Sequence, residues 1–275
     1  MGTELERTWN QAARRYEDYG PPLRPSPQDI QLLRSSVDAW RRRTRTGSAR
    51  VFLCGVTPDI VRMDWPLPVE ILGMDQAEEM VRHVWPGDGP DRHAVVGDWL
   101  HSGLPDSSQD IVVGDGGFAF LDYPNTVRAL MAELRRVLAP GGLFLYRHYA
   151  PGEQPERVEA VLSDAAAGRI GSFHAFKWRL AMAMQPDSRT GVRQNDIWTA
   201  WCQSGIDPNR LPQPGWSEQA VRTIELYREK QARLYFPTVP EFTSLLEEHY
   251  TDVEIQFPSY ELGERCPHLS ARPRA

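Results

Sequence analysis

Between Val51 and Tyr149 the chain alternates short apolar runs with segments of helical periodicity. The runs are Val51-Phe52-Leu53-Cys54-Gly55, Val69-Glu70-Ile71-Leu72-Gly73-Met74-Asp75, Ala94-Val95-Val96-Gly97-Asp98 and Asp110-Ile111-Val112-Val113-Gly114-Asp115. A fifth, Gly142-Leu143-Phe144-Leu145-Tyr146, follows a helical stretch and Pro140-Gly141. Such runs separated by helices predict a parallel sheet buried on both faces. In an open sheet of this kind a ligand binds beyond the carboxyl ends of the strands, where these Gly and Asp residues gather. The pattern therefore predicts a doubly wound, mostly parallel α/β core over residues 50–150, with a nucleotide-type site along one edge.

The flanks read differently. Trp9, Ala12, Ala13 and Tyr16 recur at helical spacing over residues 3–19, until Gly20-Pro21-Pro22 stops the pattern. Ser26-Pro27-Gln28-Asp29 has the order of a helix start, with a hydroxyl cap, Pro in the first turn and an acid three positions on. The helix it opens extends to Arg43, so residues 1–49 form an N-terminal helical cap. Residues 151–240 predict a helical insert: a helix over 152–185 broken near Gly168 to Gly171, a short aromatic helix at Ile197, Trp198 and Trp201, and a helix from Ser217 to Tyr235. Residues 241–275 complete the sheet, with a helix over Val239 to Tyr250 and strands at Val253 to Phe257 and Pro267 to Ala271.

Composition excludes more than it proposes. At 275 residues and 41% apolar content the chain can build a sizeable core. A net charge of -6 leaves no electrostatic footprint for nucleic acid or an anionic membrane. The cluster Arg41-Arg42-Arg43 reads as a solvated helix end that complements the backbone dipole. Three cysteines without ligand spacing predict neither a metal site nor a disulfide framework. Lacking an apolar leader or a run long enough to span a bilayer, the sequence leads to the expectation of a cytoplasmic protein.

The chemistry sits at the strand ends. Gly55 allows close approach of backbone to a ligand, but Gly55-Val56-Thr57-Pro58-Asp59 is not G-x-G-x-x-G, which argues against a pyrophosphate-bearing cofactor. Asp75, about 20 residues after Gly55, is placed to bind both hydroxyls of a ribose. Asp98 next to Trp99 pairs a hydrogen-bond acceptor with an aromatic face, which suits a base with an exocyclic amine. Asp115-Gly116-Gly117 leaves an acid and open backbone beside the reacting group.

Together these residues resemble the class I S-adenosylmethionine-dependent methyltransferases, on Gly55, Met74-Asp75 with Met80, Gly97-Asp98-Trp99, Leu104-Pro105 before Asp110, and above all Leu134-Arg135-Arg136-Val137-Leu138-Ala139-Pro140-Gly141-Gly142. The resemblance covers residues 50–150, and Tyr260 to Pro267 looks like part of that fold's final antiparallel hairpin. It implies a Rossmann-like sheet and S-adenosyl-L-methionine as cofactor, with S-adenosyl-L-homocysteine as product. Gly55 and Thr57 would lie by its methionine part, Asp75 with Gln76 by the ribose, Met80 nearby, Asp98 and Trp99 by the adenine, and Asp115 and Gly116 near the amine and methyl group. Tyr16 and Tyr19 are candidates to cover the cofactor. Pro58 departs from the glycine-rich first loop of the family and requires another path there.

Methyl transfer needs a base only where the accepting atom carries a proton. By location His148 is the candidate base. His174, Trp178 and Arg179 in the aromatic insert are candidates for the substrate side, with the insert as lid over a small molecule. The expected function is methylation of a small-molecule acceptor on O, N or S, with no nucleic-acid or membrane partner. Its alternatives are a methyltransferase-fold sensor or scaffold that binds the cofactor without turnover, and a nicotinamide oxidoreductase, disfavoured by the missing phosphate glycines.

Overall fold

The computed structural model describes residues 4–212 and 216–274; residues 1–3 of the predicted cap, 213–215 of the predicted insert and 275 lie outside the described residues. Nine strands are present among them: β1 Ala49–Cys54, β2 Val69–Asp75, β3 Arg92–Val96, β4 Gln109–Asp115, β5 Leu138–Arg147, β6 Val192–Arg193, β7 Arg233–Leu234, β8 Tyr250–Gln256 and β9 His268–Pro273. The α-helices are α1 Glu4–Ala13, α2 Pro27–Thr44, α3 Pro58–Val61, α4 Glu78–His83, α5 Asn125–Val137, α6 Val158–Ala166, α7 Phe173–Met184, α8 Gln194–Gln203, α9 Glu218–Arg222 and α10 Val239–Leu246. Seven strands form one sheet in the order β3-β2-β1-β4-β5-β9-β8. The first five are parallel, and β9 runs antiparallel between β5 and β8. Strand order reverses between β1 and β4, the switch point at which such sheets open a crevice.

Period-two alternation sorts the strand residues between two cores. Val51, Leu53, Ile111, Val113, Leu143 and Leu145 pack with Leu33, Val37 and Trp40 of α2. Phe52, Val112, Phe144 and Tyr146 face the other way, against Leu130, Met131 and Leu134 of α5 and Phe242 and Leu245 of α10. A third core belongs to the insert and holds Phe173, Phe176, Trp178 and Ile197.

Local chemistry explains the element ends. Ser26 Oγ accepts from Asp29 N while an Asp29 carboxylate oxygen accepts from Ser26 N, a capping box that opens α2. At its other end Arg41 and Arg42 pair with Asp38, so the basic cluster is a helix terminus. Pro58 occupies the first turn of α3, where its missing N–H costs nothing, so the strand-one loop runs directly into a short helix.

Some boundaries depart from the sequence reading. The N-terminal helix ends at Ala13 and resumes as a 3-10 turn, Tyr16–Asp18. β3 ends at Val96, not Asp98, because Asp98 caps the 3-10 turn Trp99–His101 by accepting from Leu100 N. Pro140-Gly141 lies inside β5 as a bulge, with the register jumping from Gln109↔Leu138 to Ile111↔Leu143. The helix placed over Ser217 to Tyr235 ends at Tyr227. Glu229 takes a positive φ of 61°, after which Arg233–Leu234 pairs with Val192–Arg193, so the insert carries a small sheet of its own. The last helix stops at Leu246, because Tyr250 starts β8 and is buried between Phe144 and the carbonyl of Met131.

Candidate functional site

At the carboxyl ends of β1, β2 and β4 lies a crevice of about 840 Å³, lined by Gly55, Thr57, Asp75, Gln76, Trp99 and Asp115 among others. Gly55 has φ +118°, a conformation that favours glycine, and a side chain there would point into open space. Its N–H bonds Met74 O at 2.8 Å, which ties the ends of β1 and β2 together. Asp75 ends β2 and accepts one hydrogen bond, from Ala77 N at 2.9 Å. Burial pushes its carboxyl up to about 6, against that bond. Trp99 is fixed by donating Nε1–H to Met74 O at 2.6 Å and by an edge contact with Phe118.

A second chamber of about 700 Å³ adjoins the first and shares Trp9, Tyr16, Leu23, Met80, Asp115, Gly117 and Phe120 with it. Half of its remaining wall is aromatic: Tyr19 from the N-terminal turn, Tyr149 beyond β5, Trp178 of α7 and Tyr227 of the insert. Asp115 is the one carboxylate among its described lining residues. Asp115 Oδ1 accepts from Arg147 Nε at 2.6 Å, and its other oxygen lies 3.5 Å from Thr57 Oγ1. Gly116 has φ +68°, and a Cβ there would overlap the Tyr149 ring.

Of the predicted cofactor residues, Gly55, Thr57, Asp75, Gln76, Met80, Trp99 and Asp115 line the first chamber, and Tyr19 and Gly116 the second. Asp98 stands back from both. It accepts from Gln76 Nε2 at 2.9 Å, Leu100 N and His101. Partial burial opposes the effect, yet these bonds hold its carboxyl below the usual range. Through Gln76 it is joined to the crevice wall. Tyr16 lies between the chambers, with the Arg24 guanidinium 4.9 Å from its ring.

The histidine and arginine candidates lie away from both chambers. His148 lies outside both chambers, buried with Nε2 at 2.9 Å from Pro237 O and its ring stacked on Phe242. The reason is strand parity: Phe144, Tyr146 and His148 share the α5–α10 face, while Arg147 and Tyr149 turn toward the crevice. Burial pushes His148 down to about 4. His174 stacks on Tyr19 and points Nε2 at Asp18 O, outside the described lining. Arg179 is bound instead to Glu156 and Asp164 at the surface of the insert. Of the substrate-side candidates only Trp178 lines a chamber.

Residues that sequence reasoning missed are Trp9, Phe120, Tyr149 and Tyr227. Tyr149 had a usable signal in its parity with Arg147. Trp9 and Tyr227 are brought in by packing of α1 and the insert, and no local signal marks them.

Fold and crevice thus define a Rossmann-like α/β protein with an open crevice at its switch point. Residues 54–146 match the family model of the methyltransferase domain. The match spans the sheet from the end of β1 to β5, and over these residues the chain is similar to the class I S-adenosylmethionine-dependent methyltransferases. No curated protein matches it in sequence. Among solved structures it is similar to 1,6-didemethyltoxoflavin-N1-methyltransferase of Burkholderia thailandensis, determined with 1,6-didemethyltoxoflavin and S-adenosylhomocysteine, at 13% identity, 99% and 88% coverage of the two chains and a TM-score of 0.54. It is also similar to the PH0226 protein of Pyrococcus horikoshii OT3, at 13% identity, 94% and 98% coverage and a TM-score of 0.52. A Rhodobacter sphaeroides protein named as a Zn-dependent alcohol dehydrogenase gives 10% identity, full coverage of both chains and a TM-score of 0.63. At these identities the likeness shows the fold alone. Among the described residues no cluster of His, Cys, Asp or Glu is arranged to hold a metal ion.

The residues present fit the cofactor. Gly55 leaves open a space that a Cβ would fill, and Asp75 is a half-buried carboxylate with one protein hydrogen bond.

Proposed function

We propose that this enzyme methylates a small molecule held in the aromatic chamber, by in-line displacement from the cofactor held in the crevice beside it. The observation that carries the reading is the shared wall: Asp115, Met80 and Tyr16 border both spaces, so ligands in the two would meet there. When bound, S-adenosylmethionine supplies a methyl group on a sulfonium and departs as the neutral thioether.

This chain's residues would do the rest by holding and excluding. Asp75 would accept hydrogen bonds from the ribose hydroxyls, with Trp99 and Gln76 toward the adenine and Gly55, Thr57 and Asp115 toward the methionine part. Asp115 keeps one oxygen on Arg147, which fixes the carboxylate and leaves the other oxygen available. α1 and Tyr227 would act as a lid that keeps water from the reacting atoms, and orientation in so confined a space supplies much of the barrier reduction. No described histidine lines either chamber, so transfer would proceed without a histidine base.

Isothermal titration with S-adenosylmethionine and S-adenosylhomocysteine, followed by transfer of a labelled methyl group to a panel of aromatic metabolites, tests this reading. Cofactor binding without label transfer to any small molecule, together with transfer to RNA or protein, would overturn the acceptor assignment.

A further inference from the structure

Lys177 is a buried lysine with no carboxylate partner among the described residues. Its side chain is 1% exposed. Nζ donates to Thr223 Oγ1 at 3.0 Å and lies 5.0 Å from the Tyr227 ring centroid and 5.4 Å from that of Tyr19. Both rings line the aromatic chamber, and the next residue, Trp178, does too. The ammonium therefore stands one ring's depth behind the chamber wall. Around it the polar and titratable groups are Thr223 and Tyr227 from one segment, Tyr19 from the N-terminal turn, and His174 one turn earlier on α7. His174 is held neutral by burial and by Lys177 itself.

An unpaired ammonium in a dry core is costly, and a core that needed only bulk here would be served by Met or Leu. Chamber walls of aromatic, aliphatic and small residues, with their single described carboxylate already bound to Arg147, leave this charge without a counterpart there. Resting on the methyl-acceptor reading of that chamber, we infer that Lys177 is a specificity-determining residue that selects a planar aromatic acceptor carrying one negative charge. The flat walls take the ring, and the ammonium behind Tyr19 and Tyr227 favours the anion. In agreement, burial without an acid pushes Lys177 down to about 7 in the empty protein, so an entering anion would draw a proton onto it.

Affinities of 4-nitrophenol, 4-nitrobenzoate and neutral 4-nitrobenzamide for the protein and for Lys177→Met and Lys177→Arg test the inference, with and without saturating S-adenosylhomocysteine. The wild type should prefer an anion over the amide by about tenfold in mildly acidic buffer, a charge effect of ordinary size across a protein wall. Lys177→Met should abolish the preference and Lys177→Arg restore it. Affinity for 4-nitrobenzoate should fall as pH rises through about 7, where Lys177 loses its proton. A rise in visible nitrophenolate absorbance on binding would name an ionised hydroxyl as the anion; stronger binding of the benzoate would name a carboxylate. Amide bound as tightly as either anion, or an anion preference that survives Lys177→Met, overturns the inference. Failure of S-adenosylhomocysteine to bind would instead strike the cofactor reading, because the probes report on Lys177 without it.

Discussion

Arg147 and Asp115 are register partners on adjacent parallel strands, and Arg147 Nε meets Asp115 Oδ1 at 2.6 Å with the two side chains 1% and 6% exposed. Arg147 also donates to Pro22 O, as does the Tyr149 hydroxyl. One guanidinium thus joins the tip of β4, the end of β5 and the N-terminal turn that covers the crevice.

Removing one member of such a pair leaves a buried charge without compensation. Arg147→Met should destabilise the protein by about 3–5 kcal/mol in urea unfolding. Asp115→Leu added to it should recover part of that loss, since the pair is then replaced by apolar volume. Additive losses would show that the two charges do not depend on one another.

Asp75→Ala should weaken S-adenosylhomocysteine binding by about 1–3 kcal/mol through lost charged hydrogen bonds, measured by isothermal titration. The pH dependence has a definite sign. On the proposed reading ribose hydroxyls would donate to the ionised carboxylate, which burial pushes up to about 6. Affinity should therefore fall as pH drops below about 6, and Asp75→Asn should remove the trend. The same raised value means that the unliganded fold loses stability as pH rises from the ordinary carboxylate range to about 6, so Asp75→Asn should stabilise it above that pH.

His148 and His174 are both buried and both held near 4, well below the ordinary histidine value. A depressed base contributes stability that is present above the unfolded value and lost as pH falls. Acid unfolding should draw on this between about pH 6.5 and 4, to the extent of about 3 kcal/mol per histidine. His148→Phe should flatten that part of the curve and leave methyl transfer intact. A large loss of kcat with unchanged stability would return His148 to the chemistry.

Gly55→Ala places a side chain at φ +118° with its Cβ in open crevice, so it should cost about 1–3 kcal/mol in stability and also weaken cofactor binding. Gly116→Ala adds overlap with Tyr149 to its own positive φ and should cost more in thermal unfolding.

Much of the α/β core was legible because local chemistry decides it. β2 matches its sequence limits at Val69 and Asp75, since an apolar run ending in Gly-Met-Asp before a helix start has few other solutions. α2 is equally local, with cap, proline and acid all within four residues. The candidate site divides along the same line. Gly55, Asp75, Trp99 and Asp115 belong to strand ends and line the crevice, whereas His148 lies on the opposite face of the sheet, because position after a strand does not say which side a residue faces.

The sequence alone determined the parallel sheet, its strand tips and the residues gathered there, because burial of both faces and glycine at special φ leave marks in consecutive residues. Tertiary structure alone decided the aromatic chamber, the Arg147–Asp115 bond and the isolation of Lys177. Each of these depends on residues far apart in the chain meeting through packing: Trp9 from α1, Tyr227 from the insert, Pro22 from the N-terminal turn. No periodicity records such meetings, since the free energy that fixes them is shared among three separate cores.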